Sequence, residues 1–193
     1  FTIDLLRARC RGDMRTAVLL MGQRLDAYPR SLTAKRQYSA VLLHANHPRA
    51  AQKVLSRLDP ELDPLGGYTR EDVRGAYWWL MAASHHMLGD YLAELAITDR
   101  WRDSTSWAWR MIRCRALGAL GQEREVLALL QTMATSSIDS VAEPSLTMAT
   151  ELEVHGHHAT AMAVAESILV RLELGHIADS GRAMGIAWAT RLL

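Results

Sequence analysis

Apolar side chains recur along this chain at spacings of three and four residues. One stretch places Ala17, Val18, Leu20, Met21 and Leu25 on one side of a helix, and another does the same with Tyr77, Leu80, Met81, Ser84 and Leu88. Such a period is that of an amphipathic helix with one buried stripe. Runs of alternating β-branched residues are missing, so the pattern predicts no sheet. Helices are expected over residues 2–11, 14–28, 31–45, 48–58, 70–88, 91–101, 105–120, 123–134, 143–155, 158–174 and 178–192.

The breaks between these segments repeat. Glycine follows an apolar segment in "RGDMRTAVLL" at Gly12, "LGDYLAELAI" at Gly89, "LGQEREVLAL" at Gly121 and "HGHHATAMAV" at Gly156, and Asn46 takes that place in "ANHPRAAQKV". A helix that ends in a left-handed residue selects Gly or Asn, so each marker predicts a helix stop followed by a new helix. The intervals between markers are 34, 43, 32 and 35 residues, near the period of a helix–turn–helix repeat. The long interval contains "LDPELDPLGGYTR", whose Pro60, Pro64, Gly66 and Gly67 place an irregular insert at about 59–69.

These residues resemble the tetratricopeptide repeat. Gly89-Asp90-Tyr91 is similar to the turn of that family, with Trp78 at its early aromatic position and Ala82 at its small position. Gly12-Asp13, Ala17 and Pro29 match the turn, the small second-helix position and the closing proline. Ala149, Gly156, Ala161 and Ala165 do so in the last copy, and Cys114 with Gly121 in the fourth. Glu94 and Val126 depart from the pattern, standing where alanine is usual. The resemblance implies one all-α domain over residues 1–193, a right-handed α-solenoid of about five degenerate repeats. The "AYWWLMAASHHMLGDYLAEL" stretch is also similar to repeat regions of bacterial signalling and regulatory proteins.

Composition adds little to this picture. Close to half of the residues are apolar and 22% are charged, as in an ordinary globular chain. Cys10 and Cys114, far apart, suit reduced thiols and a cytoplasmic setting better than a disulfide framework. No apolar run approaches the ~20 residues of a membrane helix, so no membrane insertion is expected. The chain begins with Phe and lacks a signal pattern, which fits a piece of a longer protein. Charge is uneven: residues 1–60 hold eleven Lys+Arg against four Asp+Glu, a net +7, and the remainder nets −6. That asymmetry fits either an acidic partner or arginines on solvated faces.

Candidate chemistry is sparse. His85 and His86 are consecutive, so on a helix they point about 100° apart and do not chelate one ion together. "HGHH" at 155–158 gathers imidazoles at a turn, but no cysteine pair completes a structural zinc site, and a polar turn explains it equally. Trp78, Trp79, Trp101, Trp107 and Trp109 serve either as packing or, for Trp79, as an anchor on a concave surface. A phosphate-cradling glycine loop, a nucleophile elbow and a Cys-x-x-Cys motif are all missing from the sequence. No catalysis, metal or cofactor is therefore expected.

The resemblance implies a groove lined by first helices that holds a protein or peptide partner. Its register places Arg36, Ala40 and His44 there, then Trp79, Ala83 and His86, then Met111 and Arg115, then Thr150 and Glu153. The expected function is a non-catalytic interaction scaffold for a peptide, helix or domain, as a regulatory segment of a larger bacterial protein. Two alternatives stay open. One is a ligand-sensing or nucleic-acid-associated regulator using the basic N-terminal repeats, though the blocks typical of nucleic-acid arms are absent. The other is self-association into a homo-oligomer.

Overall fold

The computed structural model describes residues 2–58, 70–101, 106–133 and 138–174. Within them the chain forms ten α-helices and no strands: α1 (Thr2–Cys10), α2 (Met14–Ala27), α3 (Leu32–His44), α4 (Pro48–Leu55), α5 (Arg70–Met87), α6 (Tyr91–Arg100), α7 (Trp107–Ala119), α8 (Glu123–Met133), α9 (Ile138–Val154) and α10 (His158–Leu174). The eleventh expected helix, 178–192, and the insert at 59–69 lie outside the described residues. No described helix is long and apolar enough to cross a membrane.

Each marker closes a helix in the same way. Gly12, Asn46, Gly89, Gly121 and Gly156 all have positive φ, between 60° and 86°. The residue after each marker donates its N–H to the carbonyl five positions back, at 2.8–3.1 Å: Asp13 to Ala8, His47 to Leu42, Asp90 to His85, Gln122 to Leu117 and His157 to Leu152. The marker itself donates three positions back, at 2.9–3.1 Å. This pair of bonds is the Schellman motif, which satisfies carbonyls that a helix end leaves without partners. Asn46 shows why this fold tolerates one substitution of the glycine: its short polar side chain accepts the left-handed region at modest cost.

The turn also starts the next helix. Asp13, His47, Gln122 and His157 each accept, on their carbonyl, the N–H of the residue four further on. Asp13 adds a side-chain cap, accepting from Thr16 N at 3.0 Å, and these bonds from Thr16 hold its carboxyl below the ordinary carboxylate range. Three residues separate the successive helices at every marker: 11–13, 45–47, 88–90, 120–122 and 155–157.

Burial follows the same register. Seven residues before the last four markers stand Ser39, Ala82, Cys114 and Ala149, all with 0% exposure, where small side chains let helices approach. Five residues after the markers stand Ala17, Ala51, Glu94, Val126 and Ala161, none more than 1% exposed.

The chain divides into two compact units, residues 1–90 and 91–193. In the first, α1 packs on α2, α2 on α3, α3 on α4 and α4 on α5, and α3 also meets α5 directly. Its core joins Ala8, Ala17, Met21 and Val41 in one cluster and Leu42, Leu43 and Ala51 in another, with Tyr38 and Val18 touching both. In the second unit α6 packs on α7, α7 on α8 and α9, and α9 on α8 and α10. Cys114, Leu117, Val126, Met133, Met148, Ala149, Leu152, Ala161 and Val164 form its core. Contact between successive neighbours, supplemented by contact between alternate helices, is what stacked helix pairs require to bury both faces.

One helix departs from expectation. A helix is expected from residue 143, yet α9 begins at Ile138 and carries Pro144 inside it. An interior proline removes an N–H and crowds the carbonyl four residues back, at about 3 kcal/mol. Pro144 is buried, and its helix has the broadest contacts of the second unit, so tertiary packing outweighs the local penalty.

Candidate functional site

The residues expected to line a groove fall on α3 and α5 in the first unit and on α7 and α9 in the second. In the first unit α3 contributes Arg36, Ala40 and His44, spaced by four residues, and α5 contributes Trp79, Ala83 and His86. His44 is exposed and the other five are half-buried. Trp79 follows a buried aromatic pair in sequence. Its neighbours Tyr77 and Trp78 are buried and meet edge-to-face, ring centroids 4.9 Å apart. Trp79 lies about 100° further round the helix. His85, adjacent to His86, sits 3.3 Å from Asp90 at the helix end.

In the second unit the corresponding residues have other commitments. Met111 is buried, with the Thr147 hydroxyl of α9 3.9 Å from its sulfur. Thr150 donates its hydroxyl to the Leu146 carbonyl at 2.8 Å. Glu153 pairs with His158 at 2.9 Å. Arg115 reaches from α7 to Glu94 of α6: Nε donates to Oε1 at 2.6 Å, and Nη2 lies 2.5 Å from the same oxygen. The second contact is a close charge contact rather than a directed hydrogen bond, since Nη2 lacks the required alignment. Glu94 is fully buried and Arg115 retains 15% side-chain exposure. The carboxylate at the usual alanine position is thus matched by a guanidinium from the next helix. Sequence spacing of 21 residues gave no signal for the pairing, although Glu94 stood out as a departure and Arg115 as a charged position.

Further polar links tie α6 to α7. The Trp109 indole donates to the Thr98 carbonyl at 2.8 Å. Arg113 bonds the Thr98 hydroxyl at 2.8 Å and Asp99 at 3.2 Å, while its guanidinium sits 5.3 Å from the Trp109 ring centroid. Trp101 is buried and Trp107 is exposed. Residues 102–105 of the "RDSTS" turn lie outside the described residues, but Ser106 caps α7 by accepting from Trp109 N at 3.1 Å.

The imidazoles at the α9–α10 turn each meet a separate carboxylate: His155 lies 3.8 Å from Glu151, His157 3.3 Å from Glu123 and His158 2.9 Å from Glu153. His155 also meets the Tyr91 ring edge-on at 5.2 Å. The His157 ring lies against Gly121, in the space a side chain would occupy there. Among the described residues no group of three or more histidine, cysteine or acidic side chains is placed to hold a metal ion. Both thiols are free, Cys10 exposed and Cys114 buried. Burial pushes the Cys114 thiol up to about 12, against the opposing pull of Arg110 and Arg113.

The architecture defines an all-helical protein with repeat-like helix pairs. Compared with protein-family models, curated proteins and solved structures, the chain matches none.

Proposed function

We propose that the chain is a non-catalytic interaction module, a right-handed solenoid of tetratricopeptide-like repeats that holds a peptide, helix or domain on the face of its first helices. It serves as a regulatory segment of a larger bacterial protein in the cytoplasm. The observation carrying this reading is the recurrence of one turn geometry at all five markers, with residues of equal register brought onto adjacent helices α3 and α5. Trp79 supplies a large, stiff anchor there.

The test is selection of peptides from a random display library on the immobilised chain, followed by binding of the selected peptides to Trp79→Ala. The variant is expected to lose at least about tenfold in affinity, about 1.4 kcal/mol, while unfolding at nearly the same temperature. If it loses as much stability as Trp78→Ala, Trp79 is core and the reading fails. Failure to select any peptide counts against it equally.

Self-association is supported by a separate observation: Ile3 and Leu6 of α1 are 63% and 54% exposed. Sedimentation showing a monomer at high concentration removes that second reading.

A further inference from the structure

Two arginines of the first unit share a register position, three residues after the marker: Arg15 follows Gly12 and Arg49 follows Asn46. Each is the second residue of its helix, α2 or α4, and neither helix has an acidic residue in its first turn. A helix start favours negative side chains, because its unpaired N–H groups leave a partial positive charge there. Arginine at that place opposes the local preference, and a rule broken twice at equal register points to a use outside the helix. In the second unit α6 and α8 keep to the preference. Glu94 stands in the first turn of α6, and Glu123 and Glu125 flank Arg124, the residue of the same register in α8.

The core brings both arginines to one edge of the unit. Ala8 and Ala17, before and after the turn at 11–13, pack with Val41; Val18 packs with Leu42, Leu43 and Ala51, before and after the turn at 45–47. The two turns are therefore level, on packed helices about 8–10 Å apart. Arg11, Arg15 and Arg49 are all exposed. Arg15 supports the ionised Asp13, whose carboxylate caps α2 on Thr16 N. Arg11 and Arg49 have no ion-pair partner among the described residues. Other acids of the unit stand elsewhere or are met. Asp4 lies 3.7 Å from Arg7. Asp26 is near the end of α2, and Glu71 and Asp72 open α5, each at the helix end remote from these turns. Asp90, on the third turn, is met by His85 at 3.3 Å. Asp59, Glu61 and Asp63 belong to the insert outside the described residues.

What else the edge offers decides the class of partner. Over residues 11–17 and 45–51 no large apolar side chain is exposed. A bilayer surface takes up apolar side chains together with cations, and single-stranded bases stack on aromatic rings; this edge supplies neither. A flexible acidic peptide would be ordered there by charge alone, with no apolar anchor to offset the cost. Three exposed guanidiniums on a rigid edge instead match a stiff array of phosphates that is ordered before binding.

We propose that this edge binds the phosphate backbone of duplex nucleic acid without reading its base sequence. Arg11 and Arg15 at one turn and Arg49 at the next meet phosphates, and the starts of α2 and α4 add the positive ends of their dipoles. Folding assembles the patch from separate turns, so no basic block announces it in the sequence. The proposal goes beyond the peptide-holding role and does not depend on it.

The experiment titrates the whole chain into a fluorescein-labelled DNA duplex of about 20 base pairs and follows anisotropy from about 50 to 200 mM salt. Three neutralised phosphates give a slope of log K against log salt of about −2.7. Arg11→Gln, Arg15→Gln and Arg49→Gln should each make that slope shallower by about one, and the triple variant should abolish binding. All three positions are exposed, so far-UV circular dichroism of each variant is expected to match the parent. Arg124→Gln, at equal register between two glutamates, should change affinity less than about twofold. A duplex of unrelated sequence should bind within about twofold of the first. Absence of binding, a slope flatter than about −1, or equal loss from Arg124→Gln overturns the proposal. A strong preference for one duplex sequence overturns it too. So does tighter binding, through the same arginines, of polyglutamate or of vesicles rich in phosphatidylglycerol.

Discussion

The buried pair of Glu94 and Arg115 offers a sharp energetic test. Four of the five copies place Ala17, Ala51, Val126 or Ala161 at the register position of Glu94, so an alanine there suits the local geometry. Replacing Arg115 by leucine takes the guanidinium away from a fully buried carboxylate, and loss of one partner from a buried pair costs about 3–5 kcal/mol. Replacing Glu94 by alanine instead leaves a guanidinium with some exposure, able to turn its head toward water, so a smaller loss of about 1–2 kcal/mol is expected. The double variant Glu94→Ala/Arg115→Leu removes both charges and should come within about 2 kcal/mol of the parent, because an apolar pair avoids the desolvation that the ions suffer. The coupling between the two sites is then at least about 2 kcal/mol. Urea unfolding followed by far-UV circular dichroism measures all four proteins. In thermal unfolding the arginine variant should melt roughly 10 °C lower, at about 2–4 °C per kcal/mol for a chain of this size. A coupling below about 0.5 kcal/mol would refute the reasoning, as would a glutamate variant less stable than the arginine variant.

Other perturbations separate packing from propensity. A Cβ added at Gly118 would lie 2.8 Å from both Glu151 Cβ and the Met148 carbonyl oxygen, whereas one at Gly22 meets nothing nearer than the Tyr38 hydroxyl at 3.8 Å. Gly118→Ala is therefore expected to destabilise by about 1–3 kcal/mol, and Gly22→Ala to stabilise by about 0.5–1 kcal/mol, both read by urea unfolding. Native protein should expose one thiol, Cys10, to an aromatic disulfide reagent at mildly alkaline pH, and a second only on unfolding; two fast native thiols would contradict the burial of Cys114. The raised thiol pKa also has a defined sign: above the ordinary value of 9.0 the unfolded chain releases a proton that the folded one keeps, so stability falls toward about pH 12. Cys114→Ala should flatten that alkaline decline relative to the parent.

Much of the local structure was legible because backbone punctuation carries it. A left-handed residue must be Gly or a tolerant substitute, so Gly12, Asn46, Gly89, Gly121 and Gly156 announced helix ends before any contact was known. Helix starts were equally visible for α2, α4, α6 and α8, since each follows its marker at fixed spacing. The start of α9 was not, because it lies at Ile138, five residues ahead of the expected 143, with Pro144 held inside the helix. Register alone led to the expectation that Met111 and Arg115 line a groove together with Trp79. What it did not contain is the partner of each side chain: Arg115 turns to a carboxylate on the preceding helix, and Met111 lies under α9. Such pairings depend on how far apart helices sit, and that distance is set by contacts remote in sequence.

The constant three-residue turn within each helix pair has a consequence for how this chain tolerates change in length. The connections between pairs span four residues at 28–31, fourteen at 56–69, six at 101–106 and four at 134–137, while the turns inside pairs never vary. One extra residue inside a turn would rotate the following helix by about 100° and carry its buried residue, such as Val126 or Ala161, off the core. It would also uncouple the residue that finishes one helix from its duty of starting the next. Changes in length therefore belong between helix pairs rather than within them, and the five short turns form the part of the sequence least able to accept a gap.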